Sequence, residues 1–260
     1  MISFGIQLFR HNPLKQTPFF RTLVICCFAL IFSRTAIGQD KTIVNETILW
    51  YYYSQKVKLN DNWSLSGIAQ FRDFVDRTED HHIFLTAGAT RKLKNGFSVG
   101  FGFTNLNINR TAGSDAFVLV PELRPFQSLS YGLKQGNTNF SWRLMAEERW
   151  LRNAADGELV SGHTYQWRFR NKFLFMFPIA EKLSLELSSE VMVNAGAPVS
   201  INVFDQHRGI IQFHYNLAPF KLMAGYMHWF FQTAGNQHQN RHTILLGLSH
   251  SLDLTKGSNP

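Results

Sequence analysis

Residues 165–177, YQWRFRNKFLFMF, carry the clearest structural pattern of this chain. Aromatic residues occupy every odd-numbered position except Asn171. The even-numbered positions from 166 to 172 hold Gln166, Arg168, Arg170 and Lys172. Successive side chains of a β-strand point to opposite faces of a sheet. The alternation therefore predicts a strand with one apolar face and one cationic face.

The same two-residue period recurs along the chain, and no segment shows a convincing 3.6-residue apolar period. We count eleven strands, at 47–58, 63–73, 82–92, 97–105, 121–132, 138–150, 164–177, 183–194, 206–216, 220–231 and 242–254. Short turn signals at 59–62, 94–96, 134–137, 178–182 and 217–219 alternate with longer polar connections at 104–120, 151–163, 194–205 and 232–240. This alternation is typical of up-and-down barrels, which in bacterial outer membranes have their short turns on the periplasmic side.

Single-chain bacterial membrane barrels have an even number of strands. The sequence therefore predicts an all-β fold, an antiparallel up-and-down transmembrane β-barrel with 10 or 12 strands. The strands run ~9–14 residues, longer than the ~5–6 usual in soluble sheets and near the ~9–11 needed to cross a bilayer at a tilt. Aromatic residues gather near strand ends, as at Trp63 and Trp150, where interfacial girdles belong. A secreted soluble β-protein would alternate in the same way and remains an alternative.

The N-terminal segment has the pattern of an export signal. A basic start, an apolar run over 22–32 and small residues at 36–38 predict that residues 1–38 are a cleaved secretion signal peptide. Residues 39–260 are predicted to form a single β-barrel domain. Both cysteines lie in the signal, as does half of the formal net charge of +8, so the exported chain has no disulfide framework.

The charge pattern predicts that nucleic acid is not a partner of this chain. Charged residues make up 17% of the chain, and its basic residues are scattered without any Lys/Arg run. If the apolar faces contact lipid, a set of charged side chains points into the barrel. We predict that this lumen-facing charged network consists of Arg143, Glu147, Arg149, Arg168, Arg170, Lys172, Glu186, Glu190 and Arg208.

Two roles are open for this network. Opposite charges on neighbouring strands come within reach of each other, so ion pairs and hydrogen bonds can fill the barrel and offset the cost of burying charge. The cationic ladder on 164–177 can instead create a positive potential along a selectivity path for anionic solutes. A barrel of this size leaves little open space, which favours the first role.

The sequence assigns no catalytic, cofactor-binding or metal-binding residues, and no cofactor is predicted. Nine histidines follow residue 38, but no G-x-S-x-G context for a nucleophile appears. The adjacent pair His81-His82 points to opposite strand faces, and His238 and His242 straddle a predicted loop boundary. Ser and His are plentiful, so an outer-membrane enzyme acting on lipid or lipopolysaccharide is the second functional hypothesis.

Five short motifs resemble one bacterial family. They are Glu122-Leu123-Arg124-Pro125-Phe126, Glu147-Glu148-Arg149-Trp150, Trp167-Arg168-Phe169-Arg170, Phe204-Asp205-Gln206-His207-Arg208 and Gly225-Tyr226-Met227. Together they are similar to the family catalogued as domain of unknown function 2490, and the resemblance covers nearly all of the exported chain. It implies an outer-membrane barrel, and it carries over neither an activity nor site residues.

The leading functional expectation is an integral barrel of the bacterial cell outer membrane. Its role is structural, or it provides a narrow solute pathway with a preference for anions. The expected partners are outer-membrane lipid, the outer-membrane assembly machinery and small solutes.

Overall fold

The computed structural model describes residues 42–75, 82–111, 117–199, 203–232 and 237–257. The strands are β1 (Thr42–Lys58), β2 (Trp63–Phe74), β3 (His82–Lys92), β4 (Phe97–Thr111), β5 (Phe117–Gln135), β6 (Thr138–Ala155), β7 (Glu158–Pro178), β8 (Leu183–Ala195), β9 (Phe204–Leu217), β10 (Phe220–Gln232) and β11 (Gln237–Asp253). A short 3₁₀ helix, Leu254–Gly257, follows β11, and no α-helix occurs among these residues. The predicted signal peptide, residues 1–38, lies outside the described residues.

The strands form one closed barrel, in which each strand pairs with its neighbours in the chain and β1 pairs with β11. All consecutive pairs are antiparallel, whereas β1 and β11 are parallel from Thr42 opposite Gln237 to Lys58 opposite Asp253. The prediction of an all-β barrel is confirmed, but the prediction of 10 or 12 strands in a wholly antiparallel barrel is wrong. Each turn reverses the chain, so the first and last of eleven strands run in the same direction and can close only as a parallel pair.

The predicted connection at 151–163 is wrong, because this segment continues β6 and β7. The two strands pair out to Ala155 opposite Glu158, with a register shift between Arg152 and Ala154. Asp156 and Gly157 have φ values of 51° and 79°, which is the geometry of a tight hairpin turn. The polar composition of 151–163 suggested a loop. The segment instead forms a hairpin, and the first residues of β7 in it are exposed on both faces of the sheet.

The turns divide the barrel into two ends. We call the end with the connections β1–β2, β3–β4, β5–β6, β7–β8 and β9–β10 the turn end, and the opposite end the loop end. Burial alternates along the strands, as on β8, where Glu186 and Glu190 are buried while Val191 and Val193 are exposed. The polar parity faces the barrel interior and the apolar parity faces outward.

Glycines in the barrel wall make room for an interior ring. Gly88 on β3, Gly102 on β4 and Phe126 on β5 share the inward parity. A Cβ atom added to Gly102 would lie 2.7 Å from Phe126 Cζ and 2.7 Å from Gly88 Cα. Any larger residue at Gly102 would collide with both, so the glycine lets the Phe126 ring fill this part of the interior.

The interior is unevenly filled on β1 and β2. Trp50 and Arg72 are buried towards the loop end, whereas Lys56 and Ser66, which share their inward parity, are exposed towards the turn end. On these two strands the inward-facing side chains are therefore more exposed towards the turn end than towards the loop end. Among the described residues, no helix is long and apolar enough to cross a membrane.

Candidate functional site

Eight of the nine charged side chains predicted to face the lumen form a set of ion pairs on β6 to β9, and the ninth, Arg149, pairs with Glu122 on β5. Glu190 is its centre, because it accepts hydrogen bonds from Arg143 at 2.9 Å and from Arg170 at 3.1 and 2.9 Å. Arg208 lies 3.9 Å from the same carboxylate. Only 4% of Glu190 is exposed, so these three cations replace the water that its charge would otherwise attract.

Two further groups extend the set along β7. Arg170 Nη1 donates to Glu147 Oε1 at 2.7 Å, which links Glu147 to Glu190 through one guanidinium. Arg168 Nη2 lies 3.0 Å from Asp205 Oδ2. Lys172 Nζ lies 3.5 Å from Glu186 Oε1 and forms the pair nearest the turn end. All the cationic positions of the ladder on 164–177 are therefore paired with carboxylates.

A second buried group lies on β5 and β6 around Glu122, a residue absent from the predicted set. Glu122 accepts hydrogen bonds from Arg124 Nε at 2.6 Å and Arg124 Nη2 at 2.9 Å. Arg149 donates to both oxygens of the same carboxylate, with Nη2 at 3.1 Å from Oε2. The side chain of Glu122 has no exposed surface, so its charge depends wholly on these two arginines.

Towards the loop end the interior contains arginines stacked on aromatic rings, which we call the aromatic layer: Trp50, Arg72, Phe74, Phe84, Arg208, Trp229, Phe231 and Arg241. The guanidinium carbon of Arg72 lies 3.5 Å from the Trp50 ring centroid and 3.6 Å from that of Phe84. Arg208 and Arg241 lie 4.7 and 4.9 Å from the Trp229 ring. Stacking of this kind stabilises cations that are removed from water.

The buried charges are unequal in sign. Acidic groups of the ion-pair set and the aromatic layer are Glu46, Glu122, Glu147, Glu186, Glu190 and Asp205, and the basic groups are Arg72, Arg124, Arg143, Arg149, Arg168, Arg170, Lys172, Arg208 and Arg241. The interior described by the structure therefore has more positive than negative charge.

The structure adds Glu46, Arg72, Glu122, Arg124, Asp205 and Arg241 to the nine predicted charged residues. Parity could have identified part of this set, because Glu122 and Arg124 share one face of a predicted strand. Glu46 lies before the first predicted strand and Arg241 precedes the last one, so their strand positions were missed. The stacking of Arg72 has no signal in the sequence, because Trp50 and Phe84 lie on other strands.

One polar pair lies on the outward parity. Ser189 Oγ on β8 and His207 Nε2 on β9 are 3.0 Å apart, and both side chains are partly buried. The neighbouring strand β10 places His228 near His242 of β11, with ring centroids 5.9 Å apart. Tyr226 and His242 are hydrogen-bonded at 2.7 Å between the hydroxyl and Nδ1. Polar side chains thus interrupt the apolar outer face across four strands.

No group of three or more His, Cys, Asp or Glu side chains suited to hold a metal ion occurs within the described residues. His81 lies outside them. His238 and His242 share one parity on β11; His238 stacks on Phe230 with ring centroids 5.1 Å apart, and His242 is hydrogen-bonded to Tyr226.

No curated protein and no solved structure matches the chain. A family model described as "Protein of unknown function (DUF2490)" matches residues 47–241. The match runs from β1 to the first part of β11 and includes most of the ion-pair set and the aromatic layer. The chain therefore belongs to the DUF2490 family.

Proposed function

We propose that this chain is an integral β-barrel of a bacterial outer membrane, in contact with outer-membrane lipid and inserted by the outer-membrane assembly machinery. The observation that carries the proposal is the apolar outer face. Every strand exposes at least one large apolar side chain on it, such as Tyr53, Leu65, Leu85, Phe101, Leu129, Leu144, Phe169, Val191, Phe213, Leu222 and Leu246. Soluble monomers rarely expose a contiguous apolar patch of more than a few hundred Å².

The interior supports the same proposal. A soluble barrel would turn its apolar parity inward and its charged parity to water. In this chain Arg168, Glu147 and Glu190 are buried, whereas Phe101 and Leu85 are more than half exposed. This arrangement matches the polar interior and apolar exterior of membrane barrels.

Outer-membrane fractionation with a heat-modifiable gel shift tests this location. We expect the protein in the outer-membrane fraction, resistant to carbonate extraction, with unheated samples migrating differently from boiled ones. A protein released by carbonate and showing no mobility shift would contradict the membrane barrel and favour the secreted soluble alternative.

We further propose that the barrel is closed to solutes by the aromatic layer and the ion pairs. Purified wild-type protein in a planar bilayer is expected to give no conductance steps. Replacing Trp50 and Trp229 together by Ala removes two buried rings of the aromatic layer, and this variant should conduct. The excess of interior arginines should make its current anion-selective.

Trp63→Ala is the control for that measurement, because it removes a ring at the turn end on the outward parity and should leave the bilayer silent. Steady open-channel current through the wild-type protein would instead support an anion-preferring pathway. Cation selectivity in the open variant would contradict the proposed electrostatics.

The contact between Ser189 and His207 favours a second function, hydrolysis of a lipid ester at the outer face. In such a reaction Ser189 Oγ would attack the ester carbonyl carbon while His207 Nε2 accepts the hydroxyl proton. That proton would pass to the departing alkoxide, and water would then release the acid from Ser189. The pair lies on the outward parity, so lipid of the proposed bilayer would be its neighbour.

Release of fatty acid from mixed micelles tests this second function. Wild-type protein should release fatty acid, while Ser189→Ala and His207→Ala should each abolish the release. Ser130→Ala, on the inward parity of β5, is the matched control and should keep full activity. Equal release by wild type and Ser189→Ala, or none from folded wild type, would exclude the pair as a catalytic site.

A further inference from the structure

Five buried atoms near the loop end that can donate a hydrogen bond have no partner among the described residues, and the nearby acceptor Asp205 Oδ2, also without a hydrogen bond, lies 3.0 Å from Arg168 Nη2. The five donor atoms are Trp50 Nε1, Arg72 Nε, Arg208 Nε, Trp229 Nε1 and Thr243 Oγ1. An indole or guanidinium nitrogen can only donate a hydrogen bond, and a hydroxyl can donate one. A buried donor without an acceptor is unfavourable, so several in one place indicate an acceptor that the chain itself does not provide.

Strand register brings these donors together. Trp50 on β1 lies directly opposite Arg72 on β2, and Trp229 on β10 lies directly opposite Arg208 on β9. The Trp50 and Trp229 rings are 6.1 Å apart, which joins the two pairs across the barrel interior. Thr243 on β11, the strand between β1 and β10, is fully buried.

The charge of this cluster is positive. Arg72 forms no ion pair with the described residues, and its one side-chain hydrogen bond among them is the 3.0 Å bond from Nη2 to Gln70. Arg208 lies 3.9 Å from Glu190, whose oxygens already accept hydrogen bonds from Arg143 and Arg170. Both guanidiniums lie near the Trp229 ring, with the guanidinium carbon of Arg72 at 5.5 Å and that of Arg208 at 4.7 Å from the ring centroid.

We propose that this cluster of Trp50, Arg72, Arg208, Trp229 and Thr243 is a binding site for a small inorganic oxyanion of the phosphate or sulfate class. Such an ion has several oxygens that accept hydrogen bonds. It also provides a negatively charged partner for the guanidinium of Arg72. A cation would meet only donors and positive charge. The site lies in the barrel interior, so the proposal does not depend on a surrounding membrane.

Titration with inorganic phosphate tests the site in purified, folded protein held in detergent micelles. In chloride-free buffer the unfolding midpoint of the wild-type protein should rise with phosphate and saturate, because the ion binds only the folded state. Sodium chloride at matched ionic strength serves as the reference for general salt effects, because chloride has no acceptor oxygens. Trp229→Phe keeps a ring but removes one donor, and it should weaken phosphate binding about tenfold.

Two matched variants control for the substitutions. Trp142→Phe removes an indole whose nitrogen already donates to Asn171 at 2.7 Å, and it should bind phosphate like the wild type. Arg72→Met should abolish saturable binding, whereas Arg91→Met, at an exposed position, should not. Without phosphate, Trp229→Phe should be no less stable than Trp142→Phe, because it removes an unpaired donor.

The proposal fails if phosphate raises the wild-type midpoint no more than sodium chloride does. It also fails if chloride alone produces the saturable rise, or if Trp142→Phe weakens binding as much as Trp229→Phe. The wild-type titration decides the question even if a variant does not fold.

Discussion

Replacing Glu122 by Gln is expected to lower the free energy of unfolding by about 3–5 kcal/mol, a cost typical of breaking a buried ion pair. The carboxylate has no exposed surface and binds both Arg124 and Arg149, so its loss leaves two buried guanidiniums facing a neutral amide. Unfolding by urea, followed by the gel-mobility shift of unheated samples, measures the effect.

Two further variants separate charge from packing at this position. Glu181→Gln, in the exposed turn between β7 and β8, makes the same chemical change and should alter stability by less than about 0.5 kcal/mol. The triple variant Glu122→Leu, Arg124→Leu, Arg149→Leu replaces the whole buried group by apolar side chains, and it should recover most of the lost stability. An effect of Glu122→Gln no larger than that of Glu181→Gln would contradict a dependence of the fold on this group.

Replacing Leu246 by Arg should destabilise the protein in lipid vesicles by about 2–4 kcal/mol, the cost of a cation on the lipid face near the bilayer midplane. Leu246 lies near the middle of β11 on the outward parity and is 45% exposed. In water an exposed Leu→Arg change is nearly neutral, so a large cost would arise from lipid. Reversible unfolding from vesicles in guanidinium chloride gives the difference.

Leu93 provides the matched control for this substitution. It has the same 45% exposure but lies in the turn between β3 and β4, where a cation can reach water. Leu93→Arg should therefore cost less than about 1 kcal/mol in the same vesicles. Equal effects of Leu246→Arg and Leu93→Arg would argue against a lipid-facing outer surface.

The strands were predictable because alternation is a local property. Glu190 on β8 and Arg170 on β7 each occupy a polar position in an alternating strand, which predicts that both side chains lie on the same face of the sheet. The structure places both on that face. The connection at 151–163 was mispredicted because polar residues exposed on both faces of a hairpin resemble a loop. The turn residues Asp156 and Gly157 were the local signal for that hairpin.

The strand count and the interior partners depend on information that no local pattern contains. The alternation indicated eleven strands. The prediction became 10 or 12 because single-chain bacterial membrane barrels have an even number of strands. The pairing of β1 with β11 depends on how the whole sheet closes into a barrel. The stacking of Arg72 on Phe84 likewise depends on which strands become neighbours.

The parallel seam between β1 and β11 sets where the two ends of the described chain emerge. An even-stranded meander returns to the end where it started, but here β1 starts at the loop end and β11 finishes at the turn end. A linker joining Asp253 to Thr42 would have to run the length of a 17-residue strand, about 55 Å. Circular permutation with a short linker is thus excluded by the geometry of the seam, and reporter tags fused at the two ends would report on opposite sides of the barrel.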